Sequence, residues 1–142
     1  MASESEKFAT ALCCMDGRAV EAVKQYMLER YGIRYVDFIT EPGMDRALIQ
    51  CDKKEYEKLQ DKTVRISVGH HGSRTVTVVG HDDCAGNPVS KEKHVEDIKA
   101  GVARVSQWNF SVAETITLIG LWAEEKNGEW KAEAVVHKEV SA

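Results

Sequence analysis

Two short stretches, Cys14-Met15-Asp16-Gly17-Arg18 and His81-Asp82-Asp83-Cys84, hold the residue types in this chain best suited to bind a metal. Together they offer two thiolates and an imidazole, with the Asp16 carboxylate and the Arg18 guanidinium close by. Zinc takes Cys sulfur and His nitrogen in tetrahedral geometry, and three protein ligands leave a fourth position for water, as in catalytic rather than structural sites. Cys14, His81 and Cys84 are therefore the candidate metal ligands, and Zn2+ the candidate cofactor.

The elements that must position these residues are legible from periodicity. Phe8 to Cys13 is a short apolar run, read as a first buried strand. Val20, Val23, Met27 and Tyr31 recur at helical spacing, and Gly32 sits where a C-terminal cap belongs. Arg34 to Thr40 reads as a second strand, broken by Pro42-Gly43. Asp52 to Gln60 is charged and helical, and Val64, Ile66 and Val68 predict a further helix over Thr63 to Gly72. Thr75 to Val79 is a β-branched third strand. Ser90 can cap a helix whose stripe is Val95, Ile98, Val102 and Val105. Thr115 to Glu124 and Glu129 to His137 read as strands joined by an Asn127-Gly128 hairpin turn.

Strands alternating with helices predict an α/β fold with a mainly parallel β-sheet flanked by helices, and a C-terminal antiparallel hairpin at its edge. Cys14 follows the first strand, and His81 and Cys84 follow the third. In open α/β sheets, sites form beyond the carboxyl ends of the strands. If those two strands are neighbours, the three ligands converge.

The bulk properties bound the function. The 142 residues, 43% apolar and 30% charged, suit one domain over 1–142 with a real core. A net charge of −4 with Lys and Arg interspersed among Glu and Asp leaves no basic field for a nucleic acid. No run of about 18 apolar residues predicts a membrane span. Met1 to Lys7 has neither the basic start nor the apolar stretch of a signal peptide, which points to the cytoplasm. Four cysteines are too few for a disulfide scaffold at this length, and a reducing compartment keeps thiols free for metal.

Cys14-x-Asp16-x-Arg18 followed by Gly80-His81-x-x-Cys84 resembles the β-class carbonic anhydrases, as does the order of elements over most of the chain. The resemblance implies that Cys14, His81 and Cys84 bind zinc, that Asp16 and Arg18 form a catalytic dyad, and that zinc-bound hydroxide converts CO2 reversibly to bicarbonate. In the family the Asp either orients the hydroxide or, in a resting form, becomes the fourth ligand. The chain departs from the family pattern in three places. Met1 to Cys13 holds no Gln, Thr40-Glu41-Pro42-Gly43 stands where many members read Arg-Asn-Ala-Gly, and Ala85 stands where Gly is usual.

Two thiolates offset much of the zinc charge, so a bound water should be less acidic than on three histidines. An ionised Asp16, fixed by the planar fork of Arg18, compensates by accepting a hydrogen bond and orienting the nucleophile. The plainer reading is a structural ion pair at a helix start. Two further readings of the whole site remain: hydrolysis of a CO2-like substrate such as carbonyl sulfide or carbon disulfide, and a non-catalytic zinc-binding module closed by Asp16. The resemblance also implies a homodimer or higher homo-oligomer with pocket residues, including the Val36 to Ile39 segment, drawn from both chains. An unpaired sheet edge would favour the same outcome.

The remaining chemistry-bearing residues read as structural. Cys13 alternates with Cys14 and should face away from the metal. Cys51 reads as a buried small hydrophobe. His70 and His71 point about 100° apart on a helix and cannot easily share a metal. His94 falls on a polar helix face, His137 lies near the end of the chain, and Trp108 and Phe110 pack. Asp82 or Asp83 caps the next helix or supports the ligand His81.

Overall fold

Five strands form one sheet in the order β2-β1-β3-β4-β5. The structure, a computed structural model, describes residues 8–141. The strands are β1 (Phe8–Cys13), β2 (Tyr35–Thr40), β3 (Thr75–His81), β4 (Ile116–Lys126) and β5 (Glu129–Val140). The first four are parallel, and β5 returns antiparallel along β4. The mainly parallel α/β fold with an antiparallel edge hairpin is thus present. β1 lies directly beside β3, with Leu12 opposite Val78, so the two strand ends that lead into the candidate metal-binding residues are neighbours.

Both faces of the inner strands are covered, which is why they read as apolar runs rather than alternating ones. One face takes α1 (Gly17–Tyr31). Here Ala9, Ala11, Cys13, Val79, Ile119 and Leu121 pack with Ala19, Val23, Tyr26 and Met27. Alanines on both sides allow the helix to approach closely. The other face takes α2 (Met44–Gln50) and α4 (Lys91–Val105), where Leu12, Val76, Val78 and Leu118 meet Met44, Leu48, Val102 and Val105. Between them in sequence, α3 (Lys53–Asp61) runs directly into a π-helical segment, Lys62–His70.

The caps follow the expected chemistry. Asp16 opens α1 by accepting from the Arg18 backbone N–H, and Ser90 opens α4 through Lys93. Gly32, at φ 65°, closes α1 with its N–H on Leu28 and that of Ile33 on Met27. Asn127 and Gly128, at φ 52° and 82°, supply the left-handed pair of a tight hairpin turn.

Several expectations shift. The second helix pair is one continuous body, widened so that His71 N–H reaches Ile66 carbonyl. The widening changes which side chains point inward: Thr63, Ser67 and Val68 are buried, whereas Ile66 is only half-buried. α2 went unread because it is only seven residues and its N-cap, Gly43, supplies no side-chain bond. His94 is buried rather than solvent-facing, because α4 packs His94 and Asp97 inward beside Ile98. Trp108 and Phe110 pack as expected, lining a mainly apolar cavity of about 400 Å³ with Ile116 and Val140, at the end of the sheet opposite the ligand cluster. Among the described residues no helix is long and apolar enough to cross a membrane.

Candidate metal centre

Cys14 leaves β1 as the first residue past its end, while His81 is the last residue of β3. Adjacent parallel strands bring their carboxyl ends together, and the loop after β3 turns back sharply. Asp83 takes a left-handed conformation, φ 55°, tolerable for Asp because its short polar side chain relieves the steric cost. That turn returns Cys84 to the point at which His81 aims. The ligand atoms of Cys14, His81 and Cys84 all lie within 4.8 Å of one another, and all three residues are buried.

The donor set fits a tetrahedral metal. The two sulfurs stand 4.0 Å apart, and all four cysteines are free thiols. A metal about 2.3 Å from each of two thiolates would place them roughly 3.8 Å apart. His81 Nδ1 faces the Asp82 carbonyl oxygen at 2.7 Å, so Nδ1 holds the proton and Nε2 the lone pair. Nε2 is buried with no hydrogen-bond partner among the described residues. An orphaned imidazole nitrogen facing two free sulfurs is the arrangement a metal would satisfy. The support for His81 comes from the Asp82 backbone, not from its carboxylate.

The electrostatics reinforce this. Burial, then the neighbouring Cys14 sulfur, push the Cys84 thiol up to about 11, while backbone N–H groups of Asn87 and Gly86 oppose the rise. A divalent cation would displace that proton. Cys13 faces the α1 side of the sheet, and burial drives its thiol far above the usual range, so it is a poor metal donor.

Asp16 and Arg18 form a complete bidentate pair. Arg18 Nη2 donates to Asp16 Oδ2 at 2.7 Å and Nε donates to Oδ1 at 3.0 Å. These bonds hold the Asp16 carboxyl down at about 2, so it is ionised at any physiological pH. Both of its oxygens accept from Arg18, and among the described residues Asp16 is not part of the Cys14–His81–Cys84 cluster. Two further residues meet Arg18: Asp83, which the sequence offered as a helix cap or a support for His81 and which does neither here, and Trp130, which the sequence did not mark as a site residue. Asp83 accepts from Arg18 Nη1 at 3.3 Å. Trp130, on β5, stacks on the guanidinium at 4.7 Å and meets the His81 ring edge-on at 6.3 Å. Its only cue was its place two residues after the hairpin Gly128.

The other histidines stay apart from the centre. His71 bonds Asp37 at 2.7 Å and His94 bonds Asp45 at 2.6 Å. Cys51 is half-buried beside the α2 core.

The family described as "Putative carbonic anhydrase" matches residues 4–136 of this chain. Among solved structures, a carbonic anhydrase from Glaciozyma antarctica is similar at 18% identity and a TM-score of 0.54, covering 90% of this chain and 82% of its own. The tetrameric beta-carbonic anhydrases from Sordaria macrospora are similar at 13% identity and a TM-score of 0.50, covering 96% and 84%. No curated protein sequence matches the chain.

Proposed function

Because the chain belongs to this carbonic anhydrase family, we propose that it catalyses the reversible hydration of CO2 to bicarbonate, with zinc held by Cys14, His81 and Cys84. The observation that carries the reading is the buried His81 Nε2, without a partner among the described residues, beside two free thiols. When bound, zinc supplies a Lewis acid that makes water nucleophilic near neutral pH. The protein's own groups do the rest. Cys14 and Cys84 give up their protons to become ligands. Asp16, kept ionised by Arg18, accepts a hydrogen bond from a water at the metal side of the cleft and fixes the direction of its lone pair. Arg18 also meets Asp83 and the Trp130 ring, contacts that favour this orientation of the dyad before substrate arrives.

Engagement of both Asp16 oxygens by Arg18 supports the catalytic reading over a zinc module closed by Asp16. Asp16→Asn tests it. The variant keeps the shape but loses the acceptor charge, so zinc content should stay stoichiometric while CO2 hydration falls by about 100-fold or more. Unchanged turnover would make the dyad purely structural.

The same reading extends to assembly. β2 forms one edge of the sheet, with Tyr35 exposed and Val36 and Phe38 half-buried. The opposite edge, β5, carries Glu129, Lys131, Glu133, Lys138 and Glu139, the charged pattern that blocks strand addition. β2 carries only Asp37. A homodimer or higher homo-oligomer built on the β2 side, with Val36 to Ile39 near the interface, follows. Light scattering should give a mass well above 15.9 kDa; a monomer at micromolar concentration would contradict it.

A further inference from the structure

Behind the metal ligands lies a second polar cluster that the proposed chemistry does not use. Asp45, Asn87, His94 and Asp97 are each at most 3% exposed. The Asn87 amide donates to two carboxylates: to Asp45 Oδ1 at 3.2 Å and to Asp97 Oδ2 at 3.0 Å. The other Asp45 oxygen faces His94 Nδ1 at 2.6 Å, and the other Asp97 oxygen faces Lys93 Nζ at 3.1 Å. Burying two carboxylates is costly unless each is paired and hydrogen-bonded. Here each carboxylate oxygen has a partner.

The cluster touches both ligand-bearing segments. The Asn87 backbone N–H donates to the Cys84 carbonyl at 3.3 Å, closing the turn that carries the Cys84 sulfur. On the other side, a Cβ on Gly80 would fall 2.6 Å from Asp45 Oδ2 and 2.9 Å from Ile98 Cδ1. Gly80 therefore admits the Asp45 carboxylate against β3, immediately before His81.

We propose that Asn87, clamped between Asp45 and Asp97, is a positioning residue for the metal centre. Its side chain anchors the loop, and its backbone N–H thereby closes the turn on the Cys84 carbonyl, fixing where the Cys84 sulfur sits. Asp45, bonded to His94 on α4 and seated against Gly80, ties that loop to the strand carrying His81. The spacing of Cys84 from His81 is thus set from behind by α2 and α4. Groups that orient metal ligands commonly contribute about 10- to 100-fold to metal affinity.

This inference rests on Cys14, His81 and Cys84 binding zinc, and the test separates the two claims. Zinc affinity is measured by chelator competition on metal-free wild type, Asn87→Ala, Cys84→Ser and Ser73→Ala. Ser73 is a fully buried hydroxyl donating to the Thr75 carbonyl, remote from the ligand loop, and reports the general cost of losing a buried polar group. Asn87→Ala should weaken zinc about 10- to 100-fold, with a faster release rate, while circular dichroism shows the fold intact. With Co2+ in place of zinc, its sulfur-to-metal charge-transfer band should shift or weaken. Ser73→Ala should stay within about twofold of wild type. Affinity of Asn87→Ala within twofold of wild type, or an equal loss in Ser73→Ala, overturns the positioning role. Stoichiometric zinc in Cys84→Ser, or none in wild type, overturns the ligand assignment instead.

Discussion

Gly86 is the position at which a single methyl group should do most damage near the metal loop. A Cβ there would lie 2.4 Å from the Pro42 carbonyl carbon, 2.5 Å from Gly43 N and 2.9 Å from Pro42 Cβ. The nearest obstacles are backbone atoms, so no side-chain rotation relieves them. Nor can the facing loop easily give way. Gly43 is itself left-handed, and its own Cβ position lies 2.6 Å from Gly86. Ordinary contact begins at 3.4 Å, so Gly86→Ala must part the two loops by about 1 Å. Overpacking of this kind costs roughly 1–3 kcal/mol, or about 3–10 °C in melting temperature for a chain of this size. The assay is thermal and urea unfolding of metal-free protein. Gly17→Ala is the control, because no atom lies within 4 Å of its Cβ and its φ is not left-handed. It should be neutral or stabilise by up to about 1 kcal/mol. A Gly86→Ala protein as stable as wild type would refute the steric argument and with it the close seating of the ligand loop on Pro42-Gly43.

Two further outcomes follow from the charges. The Asp16 carboxyl, followed by NMR in metal-free protein, should titrate near 2 rather than at its ordinary 3.8, and Arg18→Gln should return it towards the ordinary value. Because the folded value is the lower one, the pair stabilises the fold above about pH 4, and that contribution is lost as pH falls towards 2; it is small, since both partners are partly solvated. Zinc binding should release protons at neutral pH, because the metal-free Cys84 thiol sits near 11. Apparent affinity should then rise about tenfold per pH unit for each proton released, and calorimetry in buffers of different ionisation enthalpy reads the number directly.

Much of the site was legible before the structure because its parts are local. β1, β3 and their helices carry strong periodicity, and Cys14, His81 and Cys84 stand at strand ends whatever the rest of the chain does. Convergence needed only that β1 and β3 be neighbours. The less visible parts depend on distant pairings. His94 and Asp97 look like ordinary polar residues of a capped helix until α2 delivers Asp45 and the loop delivers Asn87. α2 itself lacks a capping side chain and follows Pro42-Gly43, which reads as a turn. Trp130 reaches Arg18 only because β5 folds back along β4. Within the π-widened segment Ser67 bonds Asp37 and Thr10, contacts between residues far apart in sequence that periodicity cannot show.

The central claim is that this cleft hydrates CO2, and stopped-flow hydration with zinc-loaded protein tests it most directly. CO2 is followed by a pH indicator from mildly acidic to strongly alkaline solution, with carbonyl sulfide and carbon disulfide hydrolysis measured on the same sample. The account predicts zinc-dependent CO2 hydration that rises with pH and disappears when the metal is removed. Stoichiometric zinc with no CO2 hydration at any pH would contradict it, and turnover of the sulfur substrates alone would reassign the reaction on the same residues.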